Sequence, residues 1–345
     1  MQLRYYTYDL IRKYPFTISG HTTTAATVVF TELEHEGMIG RGEASPGHYL
    51  PENAGTITSF LSSLKLEQFN HPFQIDEILD YTDSAAPGNT AAKAALDMAL
   101  HDLAGKLCQK PCHQFFHASA SQMPLTSYTV GIDHPDKIRE KVRQATDFRI
   151  IKVKLGSDND KAIIDAVRAE TNKPITVDAN QGWTDRQQAL DMIGWLKEQN
   201  VLFIEQPMPA SDPDGNAWVT AHSPLPVIAD EAVLRLPDVK KAVQVYHGIN
   251  IKLVKCSGMR EGYGMIREAQ SLGLKTMIGC MGESSNAILA AAALAPLCDW
   301  VDLDSPWLIA NNPYKDPVLS EGRILLNNKP GLGIEKRSVH SKKPV

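Results

Sequence analysis

The chain has no paired-cysteine motif, no basic excess and no apolar run long enough to cross a bilayer, and each absence removes a class of function. Its 5 cysteines, Cys108, Cys112, Cys256, Cys280 and Cys298, are odd in number and include no CxxC pair. A disulfide framework and a zinc module are therefore set aside, and reduced, buried thiols are expected. With 35 Lys and Arg against 40 Asp and Glu, the net charge is −5, which offers no attraction to a nucleic-acid backbone or an anionic membrane surface. The longest apolar stretch, Ala287 to Cys298, is alanine-rich and too short to span a membrane, so it predicts a buried helix. The opening MQLRYYTYDL lacks an apolar segment and a small-residue cleavage site, and a cytoplasmic location is expected.

What is present suits one large barrel, alone or with a smaller companion: 345 residues, 43% hydrophobic and 22% charged. Up to about residue 45 the text alternates and turns, in RYYTYDLIRKYPF, TAATVVFTELEHEG and MIGRGEAS. This predicts an antiparallel meander with a hairpin at Glu36-Gly37. Helical periodicity follows to about residue 117, with Asn89 or Thr90 expected to cap NTAAKAALDMALHDLAGKL. Gly37, Gly40 and Gly42 do not fit GxGxxG and read as hairpin glycines, while CHQFFH lacks the HExxH pattern of a metal helix.

Beyond Leu125 eight β-runs alternate with helical stretches: LTSYTVG, RIIKVK, PITVDA, VLFIEQ, PVIAD, GINIKLV, LKTMIG and DWVDLD. That rhythm argues for parallel strands covered by helices. The expected class is α/β, a (β/α) barrel of modified TIM type with an N-terminal α+β capping domain that the C-terminal segment completes. The expected divisions are 1–120 for the cap, 121–308 for the barrel and 309–345 for a segment returning to the cap through GRILLNNKPGLG. A solvated basic tail, EKRSVHSKKPV, is expected to close the chain.

Charged residues stand where these apolar runs end: Lys152 and Lys154, Asp178, Glu205, Asp230 and Lys252. From Lys154 onward the steps are 24, 27, 25 and 22 residues, the length of one strand, one helix and two loops. A barrel gathers the carboxyl ends of its strands at one mouth, so these residues are expected to converge. Strand parity puts Lys152 with Lys154, Asp178 with Asn180, and Asp302 with Asp304. Like charges on one face of an apolar strand are costly unless that face lines a polar site. Asp178, Glu205 and Asp230 are therefore expected to meet around one hard cation, for which oxygen ligands favour Mg²⁺. Lys154 on the second barrel strand and Lys252 on the sixth would approach a substrate from opposite sides. Lys152, beside Lys154 and the metal, is expected to depress the pKa values of the lysine pair. Glu231 and Lys255 lie out of phase with their neighbours; Glu231 is expected to brace the ligands, and Glu283 to sit at the rim.

The segments KVK, DAN, EQP, ADE and NIKLVKCSG, in this order after an α+β region, resemble the muconate-lactonizing branch of the enolase superfamily. Over nearly its whole length the chain is most similar to dipeptide epimerases of the L-Ala-D/L-Glu type. The resemblance implies an isomerase in which Lys154 and Lys252 are the acid and base and Lys152 supports the substrate carboxylate. It implies Asp178, Glu205 and Asp230 as Mg²⁺ ligands, a lysine-and-Mg²⁺ arrangement known for the superfamily. In DLD, Asp302 and Asp304 would hold the α-ammonium group of a dipeptide, which a muconate or succinylbenzoate substrate lacks. The implied reaction is a 1,1-proton transfer at the α-carbon of the C-terminal residue. The alternatives are a muconate cycloisomerase, or an o-succinylbenzoate synthase or N-succinylamino acid racemase. A barrel without catalysis has no need of two opposed lysines and three metal carboxylates.

One position departs from the pattern. Glutamate-specific relatives place an arginine five residues after PF, in a mobile loop, where this chain has His21. A histidine cannot grip a side-chain carboxylate bidentately, so a C-terminal residue without negative charge is expected. The expected partner is a small dipeptide, with no nucleic acid or membrane, and a symmetric homo-oligomer is expected.

Overall fold

The computed structural model describes residues 1–337; residues 338–345, most of the expected basic tail, lie outside the described residues. Three strands, β1 (Gln2–Ile18), β2 (His21–His35) and β3 (Met38–Ala44), form an antiparallel sheet in sequence order. The β2–β3 hairpin turns at Glu36 and Gly37 with φ of 51° and 77°, the paired positive values that match the twist of a two-residue turn. A β-carbon at Gly40 or Gly42 would overlap the carbonyls of Ala99 and Ala95. These two glycines let β3 lie directly on the helix Thr90–Leu107, which is buried from Ala91 to Ala104.

That helix is not capped as its local sequence suggests. Asn89 is left-handed and makes no cap bond. Glu52, from an earlier loop, instead accepts from Ala91 N at 2.9 Å and Ala92 N at 3.2 Å. A carboxylate there also meets the positive end of the helix.

All eight β-runs after Leu125 form strands: β4 (Ser127–Val130), β5 (Ile150–Lys154), β6 (Ile175–Asp178), β7 (Val201–Glu205), β8 (Val227–Ala229), β9 (Gly248–Ile251), β10 (Lys275–Gly279) and β11 (Trp300–Asp302). They make one parallel sheet in sequence order, and a parallel bridge from Thr126 to Val301 joins its two ends into a barrel. Alternation sorts the side chains: Ile151, Val153, Ile175 and Val177 pack in an apolar cluster with the surrounding helices. The residues that alternate with them, Lys152, Lys154 and Asp178, face the other way. The alanine-rich helix Ser285–Leu294 is buried at every position. Among the described residues no helix is long and apolar enough to cross a membrane.

The C-terminal stretch folds back across both parts. After the short hairpin β12 (Val318–Ser320) and β13 (Arg323–Leu325), Gly331 bridges Pro111, and Leu332 N donates to Asp102 at 2.8 Å. Arg12 bridges Ile309 near the start of this stretch. The beginning of the expected tail is tied down: Lys315 pairs with Glu335 at 2.5 Å and Arg337 with Asp316 at 2.6 Å. No cysteine is bonded to another, but Cys108 is exposed, against the expectation of burial, because it follows the last turn of its helix at the surface.

Candidate active site

Register places the chemistry. Lys154 is the partner of Asp178 across β5 and β6, and Asp178 of Glu205 across β6 and β7, so strand ends deliver adjacent charges. Asp178, Glu205 and Asp230 are completely buried, and a carboxylate oxygen from each lies within 4.8 Å of the others. Among the described residues this is the one such group of metal-ligating side chains.

Four lysines surround the triad. Lys152 donates to Glu205 at 2.6 Å and to Asp302 at 2.7 Å, and stands 3.2 Å from Asp178. Lys154 donates to Asp178 at 2.6 Å. Lys252 takes Asp230 Oδ2 at 2.6 Å and Lys255 takes Oδ1 at 2.6 Å. Lys154 and Lys252 are thus attached to the outer two carboxylates, with Glu205 between. All the expected lysines and carboxylates come together; Lys255 joins them although strand parity argued against it. The strand stops at Ile251, and Lys255 N bonds Lys252 O at 2.9 Å. A turn with helical spacing brings residues three apart to one side, which a period of two does not foresee.

Electrostatics follow from burial and these partners. Burial pushes Asp178 up, but Lys154 and Lys152 pull it down to about 2. Burial together with Asp178 pushes Glu205 up to about 7. Asp230, despite burial, is held far below the carboxylate range by Lys252 and Lys255. Burial lowers Lys152, but Asp302, Glu205 and Asp178 outweigh that and hold it well above the ordinary value. Lys252 is raised in the same way, chiefly by Asp230 acting against burial.

The donor set is all oxygen, as a hard divalent cation requires. Buried acceptors without donors adjoin it: Asn180 Oδ1, Glu231 Oε2 and Asn250 Oδ1. Asn250 Nδ2 meanwhile donates to Glu205 at 2.7 Å, and Asn180 Nδ2 to Glu231 at 3.3 Å. Unsatisfied acceptors around three clustered carboxylates fit a bound Mg²⁺ and its water, and Glu231 braces Asn180 beside the triad.

A cavity of about 290 Å³ opens over the lysines. Its floor includes Lys152, Lys154, Lys252, Asp302 and Asp304; its roof includes His21 and His48 from the N-terminal part. Asp302 also accepts from Ser127 Oγ at 2.7 Å, and Asp304 from Thr129 N at 2.5 Å. His21 is the first residue of β2, at the tip of the β1–β2 hairpin, rather than in an extended loop. Its ring stacks on His48 at 4.7 Å between centroids, and burial lowers the pKa of His48, with His21 adding to the effect. Glu283 is buried rather than at the rim, pushed up to about 8 by burial and by Glu43.

Residues 4–116 match the family described as mandelate racemase / muconate lactonizing enzyme, N-terminal domain, and residues 136–338 match the enolase C-terminal domain-like family. The chain belongs to the mandelate racemase / muconate lactonizing enzyme family of the enolase superfamily. This member of the family is 48% identical over 337 residues to the L-Ala-D/L-Glu epimerase of Bacteroides thetaiotaomicron, covering 97% of this chain and 88% of that protein. It is 36% identical to the L-Ala-D/L-amino acid epimerase of Pedosphaera parvula, over 98% of this chain and 100% of that one. A dipeptide epimerase structure from Enterococcus faecalis, complexed with Mg and L-Leu-L-Tyr, superposes with a TM-score of 0.90 at 29% identity, covering 97% and 99% of the two chains. The family member described here is accordingly an isomerase of the racemase and epimerase kind.

Sequence reading set Lys255 aside as out of phase and missed Asn250, His48 and Tyr49. The hydroxyl of Tyr49 reaches Asp230 Oδ1 at 3.5 Å from the N-terminal part. Asn250 could have been found: it shares strand parity with Lys252.

Proposed function

We propose that this chain is a Mg²⁺-dependent dipeptide epimerase that inverts the α-carbon of the C-terminal residue. The observation that carries the reading is the pair Lys154 and Lys252, each held at 2.6 Å by a different outer carboxylate of one triad. Asp178, Glu205 and Asp230 would hold the ion. Bound there, Mg²⁺ supplies positive charge to the substrate carboxylate as negative charge gathers on its oxygens.

The chain's own groups supply the rest. Lys152 Nζ, fixed by three carboxylates, supports the substrate carboxylate. One of Lys154 and Lys252 removes the α-proton as the free amine, and the other, as the ammonium, delivers a proton to the opposite face. Exchanging these roles runs the reaction in reverse, so both epimers are substrates. Asp302 and Asp304 hold the α-ammonium of the N-terminal residue and fix which carbon lies between the lysines. The roof carries His21 and His48, with His48 biased toward its neutral form. His21 and His48 offer no permanent cation to a C-terminal side chain, so an uncharged residue is preferred beside them, unlike the substrate named for the Bacteroides relative.

Incubating L,L-dipeptides with the protein and Mg²⁺ and separating the products by chiral chromatography tests this. L,D-dipeptides should accumulate to equilibrium, fastest with an uncharged C-terminal residue. No epimer from any dipeptide, or a preference for C-terminal glutamate, would contradict the activity or the specificity respectively.

A further inference from the structure

The cavity contains a cation that the proposed chemistry leaves unused. Arg12 lies where the pairing of β1 with β2 breaks, between Ile11 and Phe16, on the same face of the strand as the buried Leu10 and Ile18. It lines the same cavity as Asp304 and Thr129. Its guanidinium occupies the space that a β-carbon at Gly282 would need, and lies 4.9 Å from the centre of the Phe16 ring.

Its Nε is buried without an acceptor. Among the described residues no carboxylate forms an ion pair with Arg12, although Asp304 is near enough to act on it electrostatically. Burial lowers its pKa, opposed by Cys280 and Asp304; an arginine nonetheless stays charged. A guanidinium whose Nε is buried without a partner is costly unless something in the cavity answers it.

We propose that Arg12 binds a carboxylate on the side chain of the dipeptide's N-terminal residue, an aspartate or glutamate, beside the α-ammonium held by Asp302 and Asp304. The assignment rests on the epimerase reading, because the DLD aspartates fix which end of the dipeptide lies there. Asp302 does not oppose such a carboxylate strongly, since Lys152 already pairs with it at 2.7 Å. A guanidinium gives a carboxylate two parallel donors, whereas an amide of the same shape leaves the charge unanswered.

The test uses two isosteric pairs with the Mg²⁺-loaded protein: L-Glu-L-Leu against L-Gln-L-Leu, and L-Leu-L-Glu against L-Leu-L-Gln. Dissociation constants by calorimetry and kcat/KM are measured for wild type, Arg12→Met and Arg12→Lys. The wild type should favour N-terminal Glu over Gln by at least about tenfold. Arg12→Met should bring that ratio to one or below, Arg12→Lys should keep part of it, and the C-terminal pair should respond to neither. Equal handling of N-terminal Glu and Gln by the wild type, with turnover intact, overturns the Arg12 assignment alone, even if the variants do not fold. So does a ratio that survives Arg12→Met, or an effect confined to the C-terminal pair. Failure to bind any of the four dipeptides overturns the epimerase reading, and this proposal with it.

Discussion

Lys255 and Lys252 share one carboxylate: Asp230 offers Oδ1 to the first and Oδ2 to the second, each at 2.6 Å. Their surroundings differ. Lys252 lines the cavity, whereas Lys255 is completely buried and also donates to the carbonyls of Asp230 and Asn250. Replacing Lys255 by Met takes the lysine from one oxygen of a buried carboxylate and from two carbonyls. We expect a loss of about 3–5 kcal/mol in urea unfolding. A change below about 1 kcal/mol would show that the bond between Lys255 and Asp230 does not anchor the site.

Lys154→Ala and Lys252→Ala should each lower epimerization by at least about 10²–10⁴-fold, the worth of a placed acid or base. Each variant should retain proton exchange on the stereoisomer whose α-hydrogen faces the remaining lysine. Undiminished two-way turnover in either one would refute its assignment.

Chelation by EDTA should abolish turnover, and Mg²⁺ should restore it. Added Mg²⁺ should also raise Tm, by an amount equivalent to about 2.7 kcal/mol at a hundredfold excess over Kd. Glu205→Gln should weaken both responses. A Tm insensitive to Mg²⁺ in the wild type would remove Asp178, Glu205 and Asp230 from the role of ligands.

Much of this was legible before the structure, for a physical reason. Barrel strands covered on one side by helices must be apolar there, so each appears as a short apolar run, and in β5, β6 and β7 a charged residue ends it. Lys152, Lys154 and Asp178 could be placed on one face by counting in twos. Counting failed where the chain left the strand, as at Lys255. It also failed where a partner came from far away, as when Glu52 rather than Asn89 caps the helix Thr90–Leu107. Arg12 shares strand parity with the buried Leu10 and Ile18, but nothing in the sequence says that this face of β1 covers the cavity.

Glu43 and Glu283 give the protein a pH response apart from the metal ligands. Burial is the main cause in both, raising Glu43 to about 7 and Glu283 to about 8, from 4.5. Between pH 4.5 and about 8 the folded protein therefore holds protons that the unfolded chain has released. The stability these two acids allow is full below pH 4.5, falls as pH rises and levels off above about 8. Each contributes a slope of at most about 1.4 kcal/mol per pH unit. Glu283→Gln should flatten the fall in urea unfolding measured at pH 5.5, 7 and 8.5. An unchanged slope would mean that Glu283 ionizes freely in the fold.

The most direct measurement is proton exchange by the Mg²⁺-loaded protein in D₂O with one L,L-dipeptide, followed by mass and chirality. Two opposed lysines predict deuterium at the α-carbon of the C-terminal residue in both the L,D product and the recovered L,L substrate, with none at the N-terminal residue. Epimer without solvent deuterium, or label at the N-terminal α-carbon, would contradict the account.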